Sequence, residues 1–405
     1  MLDKEWGGFI MTKKEAYSIL IKLKNVENKK TYKLNLHLVW TSLLFWSGKY
    51  GRALYHIHKI SGKSNILESY CWKGVLYYFS EDYNNAIYFL EKAENINPKS
   101  MEIKYFLAEI FYATAQLEKA ESKYRTLVAN LEYKTLGLYG IGCCLLKTNR
   151  HHEALAFFNK ALLLAKQDDL VKTLNKKGLC LMELGKSEEA RLCFGKCLKI
   201  SPNDSTVQLN LALALSKLGN YKDAARIYKN ILIKTPNNII AINNYASCMA
   251  ACNEYDEALS YCNIGLKIDP SNPDLLINKG YCLYKHGHYN NALECLNEAE
   301  KIVKDDIILF NNKALCLMAL EKYDEALKLF NELLDKDDSD DLLFNKAYCL
   351  LNKDMYGEAL VCLKNIKDKN RKNFDFYTLK GICFEQLGNH EAAVESFNKS
   401  IIIAG

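Results

Sequence analysis

Fifteen cysteines, eight histidines and a regularly spaced set of asparagines are the side chains of this sequence best suited to chemistry. Thiolates are nucleophiles and soft metal ligands, and imidazoles carry protons near neutral pH. Either use needs several such groups brought together. Cys193/Cys197 and Cys248/Cys252 are spaced to share a helix face, but no third and fourth ligand follows at zinc spacing. Five histidines (His151, His152, His286, His288 and His390) fall in stretches that read as turns. Spacing assembles no Ser-His-Asp or Cys-His set. The glycines are spread along the chain rather than clustered as a phosphate cradle. The sequence therefore implies no catalytic residue, no metal and no cofactor. The asparagines differ. Asn210, Asn244, Asn278, Asn312 and Asn345 follow one another at 34, 34, 34 and 33 residues. A carboxamide both donates and accepts, so a row of them can pair with the backbone of an extended chain whatever its side chains.

That spacing belongs to the whole chain. Ala53, Ala86, Ala120, Ala154, Ala190, Ala224, Ala258, Ala292, Ala326, Ala359 and Ala393 are separated by 33, 34, 34, 36, 34, 34, 34, 34, 33 and 34 residues. Twelve residues before the alanine stands Gly or Ala in ten of the eleven cases, for example Gly74, Gly142, Gly178, Gly280 and Gly381, with Thr41 the exception. Four residues after it comes a large apolar side chain in ten cases, such as Phe158, Phe194, Tyr228, Phe330 and Phe397; Cys262 is the smallest. Two antiparallel helices per unit explain all three positions. The small residue lets the second helix approach, the alanine sits at the crossing, and the ring fills the gap between neighbouring units. Only five prolines occur, each between predicted helices, as they must if a helix-interior proline costs about 3 kcal/mol.

The pattern resembles the tetratricopeptide repeat over roughly residues 34 to 405. In that repeat the small residue is position 8, the alanine 20, the ring 24 and a closing proline 32. Pro98, Pro202, Pro236 and Pro270 fall on position 32, and Gly48, Gly185, Gly219, Gly287 and Gly388 on the turn at position 15. The family's tryptophan at position 4 is replaced by residues such as Leu174, Ile242, Phe310 and Tyr377. The resemblance implies an all-α, right-handed α-α superhelix of about eleven units: 34–66, 67–100, 101–134, 135–170, 171–204, 205–238, 239–272, 273–306, 307–339, 340–373 and 374–405. Residues 1–33 form a leader with a capping helix or degenerate repeat, its helical part expected over Thr12 to Lys33. The 36-residue gap after Ala154 predicts a longer second helix or linker around Leu164 to Leu170.

In this family the first helices line a concave wall, which implies a protein or peptide as partner. Asn210, Asn244, Asn278, Asn312 and Asn345 all occupy position 6, an arrangement similar to the ladder in the repeats of O-linked N-acetylglucosamine transferases, where amides hold a peptide backbone. Phe45, Tyr78, Tyr105, Tyr112 and Tyr139 fall on inner positions of the first units. They predict an aromatic stretch of wall suited to an apolar or amphipathic segment. A chaperone-tail carboxylate clamp is not expected, since position 5 runs Cys71, Tyr105, Tyr139, Asn175, Leu209, Asn243 and Ile277.

Seven cysteines (Cys144, Cys180, Cys248, Cys282, Cys316, Cys349 and Cys383) share one position two residues after the small one. Stacked units put them about 8–10 Å apart, too far for disulfides, so they read as small buried hydrophobes. The acidic stretch Asp335 to Asp341 lacks the glycine and closing carboxylate of a calcium loop. A net charge of +6 from 54 basic and 48 acidic residues is mild, and Lys22 to Lys30 and Lys364 to Lys372 read as solvated surface, not as nucleic-acid sites. No apolar run is long enough to span a membrane and no secretory signal opens the chain, so a cytoplasmic protein with reduced thiols is expected. The codons of Trp6-Gly7-Gly8 permit a ribosome-binding GGAGG ahead of Met11, so a bacterial source and a start at Met11 are expected, which N-terminal sequencing of the native protein reads directly. The apolar end Ile401-Ile402-Ile403 leaves open a longer parent chain or a docking end. The function expected is a non-catalytic scaffold holding a peptide segment. The alternatives are the recognition arm of an enzyme whose catalytic part lies elsewhere, and a peptide-sensing regulator.

Overall fold

The structure, a computed structural model, describes residues 13–14, 16–18, 20, 36–60, 66–367 and 374–404. Most of the predicted leader lies outside the described residues. All regular structure among the described residues is helical. Eleven helix pairs follow one another, from Leu36–Trp46 with Tyr50–Ile60 to Phe374–Gln386 with His390–Ala404. The chain divides into two compact bodies, residues 1–214 and 215–405, and ten of the pairs lie wholly within one of them.

Local sequence explains where helices begin and turn. Ser100, Asp204, Asn238, Asn272, Asp306 and Ser339 precede the first helices of their units. Each side chain accepts from the amide three residues on, satisfying one of the donors that a helix start leaves open. Pro273 follows its cap at the first helical position. The turn inside every unit uses one left-handed residue. It is glycine at Gly48, Gly185, Gly219, Gly287 and Gly388, but the same backbone recurs at Glu81, Ala115, Asn149, Asn253, Glu321 and Asp354 with φ between 57° and 64°. The turn is therefore set by the fold and tolerates side chains that strain it.

Within each body the pairs close in one way. All eleven marker alanines, from Ala53 to Ala393, are fully buried. In the first body a Cβ added to Gly142 would lie 2.7 Å from the Phe158 ring, and one on Gly178 would lie 2.5 Å from the Phe194 ring. In the second, a Cβ on Gly280 would lie 2.8 Å from Leu296 and one on Gly381 would lie 2.6 Å from the Phe397 ring. The large side chain at position 24 thus presses on the small residue of its own pair, where the sequence had placed it between units. Tyr124 reaches between units, its ring standing 2.4 Å from a Cβ added to Gly140 of the next unit while its hydroxyl donates to Glu109 of its own pair.

A second departure concerns the extra residues after Ala154. The second helix ends normally at Leu162, and the surplus lengthens the next first helix, Gln167–Glu183, to 17 residues. Lys166 takes extended backbone and breaks the chain direction before it. The acidic stretch after Leu334 is a connection ending at the Ser339 cap, and Lys336 pairs with Asp305 across units at 2.8 Å.

The left-handed turn generates a prediction. Ala115 and Glu321 are exposed, so removing their Cβ costs no packing. Ala115→Gly and Glu321→Gly should each raise stability by about 0.5–1 kcal/mol, seen as a higher urea midpoint. A loss of stability, as at an ordinary helix position, would contradict the assignment.

Candidate functional site

Three groups of side chains stand out: the aromatic residues of the first units, the thiols and the asparagine row. The predicted aromatic wall is interior. Phe45 is fully buried and ringed by Trp46, Tyr50, Trp72 and Phe79 at centroid distances of 5.2–6.2 Å. Tyr78 packs on Phe79 and Tyr83, Tyr105 on Tyr133, and Tyr139 on Phe158. The Tyr112 ring lies 4.3 Å under the Lys147 ammonium, and burial pushes its phenol above the ordinary tyrosine range. All five are at most 9% exposed, and Tyr105 and Tyr139 line a narrow pocket with Leu136 and Thr173. The cause lies in their helices. Ile66–Phe79, Met101–Ala113 and Lys134–Lys147 bury ten, nine and ten residues, spread over most of each helix surface. Successive first helices also touch directly, so large inner side chains fill the space between them.

Near Tyr112 and Tyr139 lies a carboxyl that sequence reasoning missed. Glu109 is 1% exposed and accepts from the Tyr124 hydroxyl at 2.7 Å. Nearby, the Tyr133 hydroxyl donates to Glu102 at 3.1 Å. Acidic residues in an otherwise apolar helix, with tyrosines one or two turns away or on the facing helix, are the signal that could have revealed these pairs.

The thiols are mostly buried, with Cys252 and Cys295 half-buried. All fifteen cysteines are thiols rather than disulfides. The seven at the shared position are buried. Among the described residues no three of His, Cys, Asp and Glu gather as a metal site. Burial pushes Cys180, Cys282, Cys349 and Cys383 up to about 11, and Cys197, Cys262 and Cys316 up to about 12. The Cys180 thiol donates to the His151 carbonyl at 3.1 Å. Such thiols stay protonated at neutral pH and behave as apolar filling.

The asparagine row is polar, half-buried at Asn210, Asn244, Asn278 and Asn345 and buried at Asn312, and it is partly engaged. Asn210 donates to Asn175 at 2.9 Å in the first body. In the second, Asn278 donates to Asn243 at 2.8 Å and Asn345 to Asn311 at 3.0 Å. Each bond runs from position 6 of one first helix to position 5 of the preceding one. Asn244 is half-buried and Asn312 is 6% exposed, and neither makes a side-chain hydrogen bond among the described residues. The sequence shows the row, but not that alternate members are tied to a neighbour, because position 5 carries asparagine only at Asn175, Asn243 and Asn311.

No helix among the described residues is long and apolar enough to cross a membrane. Comparison with known families finds matches along most of the chain. A model described as tetratricopeptide repeat matches residues 67–100 and 374–404, and a second of that description matches 311–364. The N-terminal repeats region of Psidin matches 144–275, and subunit 3 of the anaphase-promoting complex, or cyclosome, matches 261–333. No curated protein matches significantly. Among solved structures, the APC/C hetero-tetramer Cut9–Hcn1 is similar with TM-score 0.50 and 14% identity, over 96% of this chain and 89% of that one. A tetratricopeptide repeat protein from Parabacteroides merdae is similar with TM-score 0.47 and 18% identity, over 58% and 94%. Human IFIT1, a dimer with PPP-AAAA, is similar with TM-score 0.48 and 13% identity, over 98% and 96%. At these identities the likeness is one of fold.

The buried thiols generate a pH prediction. Their folded values lie above the ordinary 9.0, so the stability they contribute is complete below about pH 9 and is lost as pH rises through 11–12. Urea midpoints should hold steady from pH 7 to 8.5 and fall steeply above pH 9.5. A flat profile to pH 11 would contradict the burial of these groups.

Proposed function

Because the chain belongs to the tetratricopeptide-repeat superfamily, a fold that serves as a protein-interaction scaffold, we propose that it holds an extended peptide against the asparagine row of its first helices. The observation that carries this reading is the amide arrangement of the second body. Asn278 and Asn345 are held by Asn243 and Asn311, which restrains their rotamers. Each bridged donor keeps a carbonyl oxygen and a second N–H for a ligand. Asn244 and Asn312 stand between the bridged pairs with their hydrogen-bonding capacity unspent within the described chain. Restraining an amide before binding reduces the entropy lost when a ligand arrives.

Amides that pair with backbone make binding tolerant of side chains and sensitive to the peptide's own N–H groups. A stack of helices about 8–10 Å apart presents one amide per roughly three residues of extended chain. The buried rings of the first units support that body's packing and do not enter the site.

Random-peptide display against the full chain tests the reading. Enriched peptides should lose about thirtyfold in affinity, by fluorescence polarisation, when Asn244→Ala and Asn312→Ala are combined, as expected for two hydrogen bonds of about 1 kcal/mol each. Backbone N-methylation of the peptide should weaken binding similarly, while side-chain shuffling should cost less. Unchanged affinity in the double variant, or no enrichment at all, would remove the proposal while leaving the fold intact.

A further inference from the structure

The first helices that carry the asparagines of the second body hold a further pattern. On Pro273–Lys285, Asp274, Asn278, Tyr281 and Lys285 are spaced by four, three and four residues, so they line one stripe of the helix. Ile308, Asn312 and Leu315 take the same places on Ile307–Ala319, and Asp341, Asn345, Tyr348 and Asn352 take them on Asp340–Asn352. The bonds from Asn278 to Asn243 and from Asn345 to Asn311 bring successive first helices side by side. Equivalent residues of the stripes therefore line up as rows. A rise of about 1.5 Å per residue puts one flanking row about 6 Å from the amides along the helix, and the other about 4.5 Å away on the opposite side.

The two flanking rows differ in chemistry. The one nearer the helix starts holds Asp274, Ile308 and Asp341, with Ile308 and Asp341 exposed. The other holds Tyr281 and Leu315, both half-buried, and Tyr348, which is 45% exposed. The Tyr281 ring packs against Tyr255 at 6.4 Å, and the Lys285 ammonium lies 5.5 Å from its centroid. Carboxylates thus border the amides on one side, and an ammonium accompanies the apolar row on the other.

We propose that the segment held here is an extended peptide in which apolar and basic residues alternate; this rests on the amide reading above. An extended chain sends successive side chains to opposite sides. When its N–H and C=O groups point at the asparagines, those two sides lie along the helix axes, over the two flanking rows. Apolar side chains then cover Tyr281, Leu315 and Tyr348 and remove them from water. Cations of the intervening residues meet Asp274 and Asp341, while the Lys285 ammonium turns them away from the apolar row. An acidic chain fits less well, because it would set its carboxylates against those aspartates. A uniformly apolar chain would cover the aspartates without offering them a countercharge.

The test measures fluorescein-labelled peptides on the full chain by fluorescence polarisation. One alternates leucine and lysine over six residues between glycine pairs, and its isomer groups three leucines before three lysines. The alternating peptide should bind about tenfold more tightly than the isomer, and more weakly as salt rises. Tyr348→Ala and Asp341→Asn change exposed side chains, one on each edge, and helicity by circular dichroism should hold. Tyr348→Ala should weaken the leucine–lysine peptide several-fold and leave an alternating serine–lysine peptide unchanged. Asp341→Asn should also weaken the leucine–lysine peptide, but leave an alternating leucine–glutamine peptide unchanged. Asn244→Ala with Asn312→Ala should weaken all of these peptides alike. The isomer comparison needs no substitution, so it decides even if a variant loses helicity. Equal affinity for the two isomers, or edge variants that weaken every peptide evenly, would overturn the alternation, and the amide reading would stand if the asparagine pair still mattered. Saturable binding of none of the peptides, or indifference to the asparagine pair, would overturn both.

Discussion

The close approach of two helices at one glycine or alanine governs this molecule. Where position 8 is glycine, the space a methyl would need is already filled by the ring or leucine four residues beyond the marker alanine. Phe158 and Phe194 are fully buried in that role, each burial contributing about 1.5–3 kcal/mol. The alanine between them is equally buried, since anything larger would part the helices. These contacts are short in sequence and recur in every unit that lies within one body. Stability is therefore spread along the chain rather than gathered in one core.

The other features follow from that closure. Once the pair is clamped, the turn joining its helices has one route, so six non-glycine residues accept the left-handed conformation. Side-chain caps then start each new first helix at a fixed offset from the last. Equivalent residues of successive first helices come side by side, which lets Asn243 meet Asn278 and Asn311 meet Asn345. The same offset repeats lysines at position 7 of the last four units (Lys279, Lys313, Lys346 and Lys380). Periodicity of packing thus becomes periodicity of surface chemistry, and each face of a body carries its own row.

The fold was legible in the sequence because its determinants are local and repeated. A small residue, an alanine and a large apolar side chain at fixed spacing are three marks of one physical event, and eleven copies remove ambiguity. The buried cysteines were readable for the same reason. The site was less legible. Phe45, Tyr78, Tyr105, Tyr112 and Tyr139 sit at inner positions, but whether such a ring lines a wall or fills it depends on the size of its neighbours on both flanking helices. The run of large apolar residues along Met101–Ala113, with few polar ones between them, was the available sign that these rings are packing. The surplus before Asp169 lengthens the following first helix, where spacing had pointed to the preceding helix or the linker, because spacing counts residues without saying which element absorbs them. The asparagine row was visible, whereas its alternate bridging depends on a second asparagine that only some units carry.

The most direct test of the governing contact is a two-background measurement at Gly178 and Phe194. Gly178 lies inside the helix Gln167–Glu183, where alanine is intrinsically favoured over glycine by about 1 kcal/mol. A Cβ there would stand 2.5 Å from the Phe194 ring, and overpacking of that kind costs about 1–3 kcal/mol. Gly178→Ala should therefore lower the urea midpoint of the natural chain and raise it in a chain already carrying Phe194→Ala. The same shift, in sign and size, in both backgrounds would contradict the account.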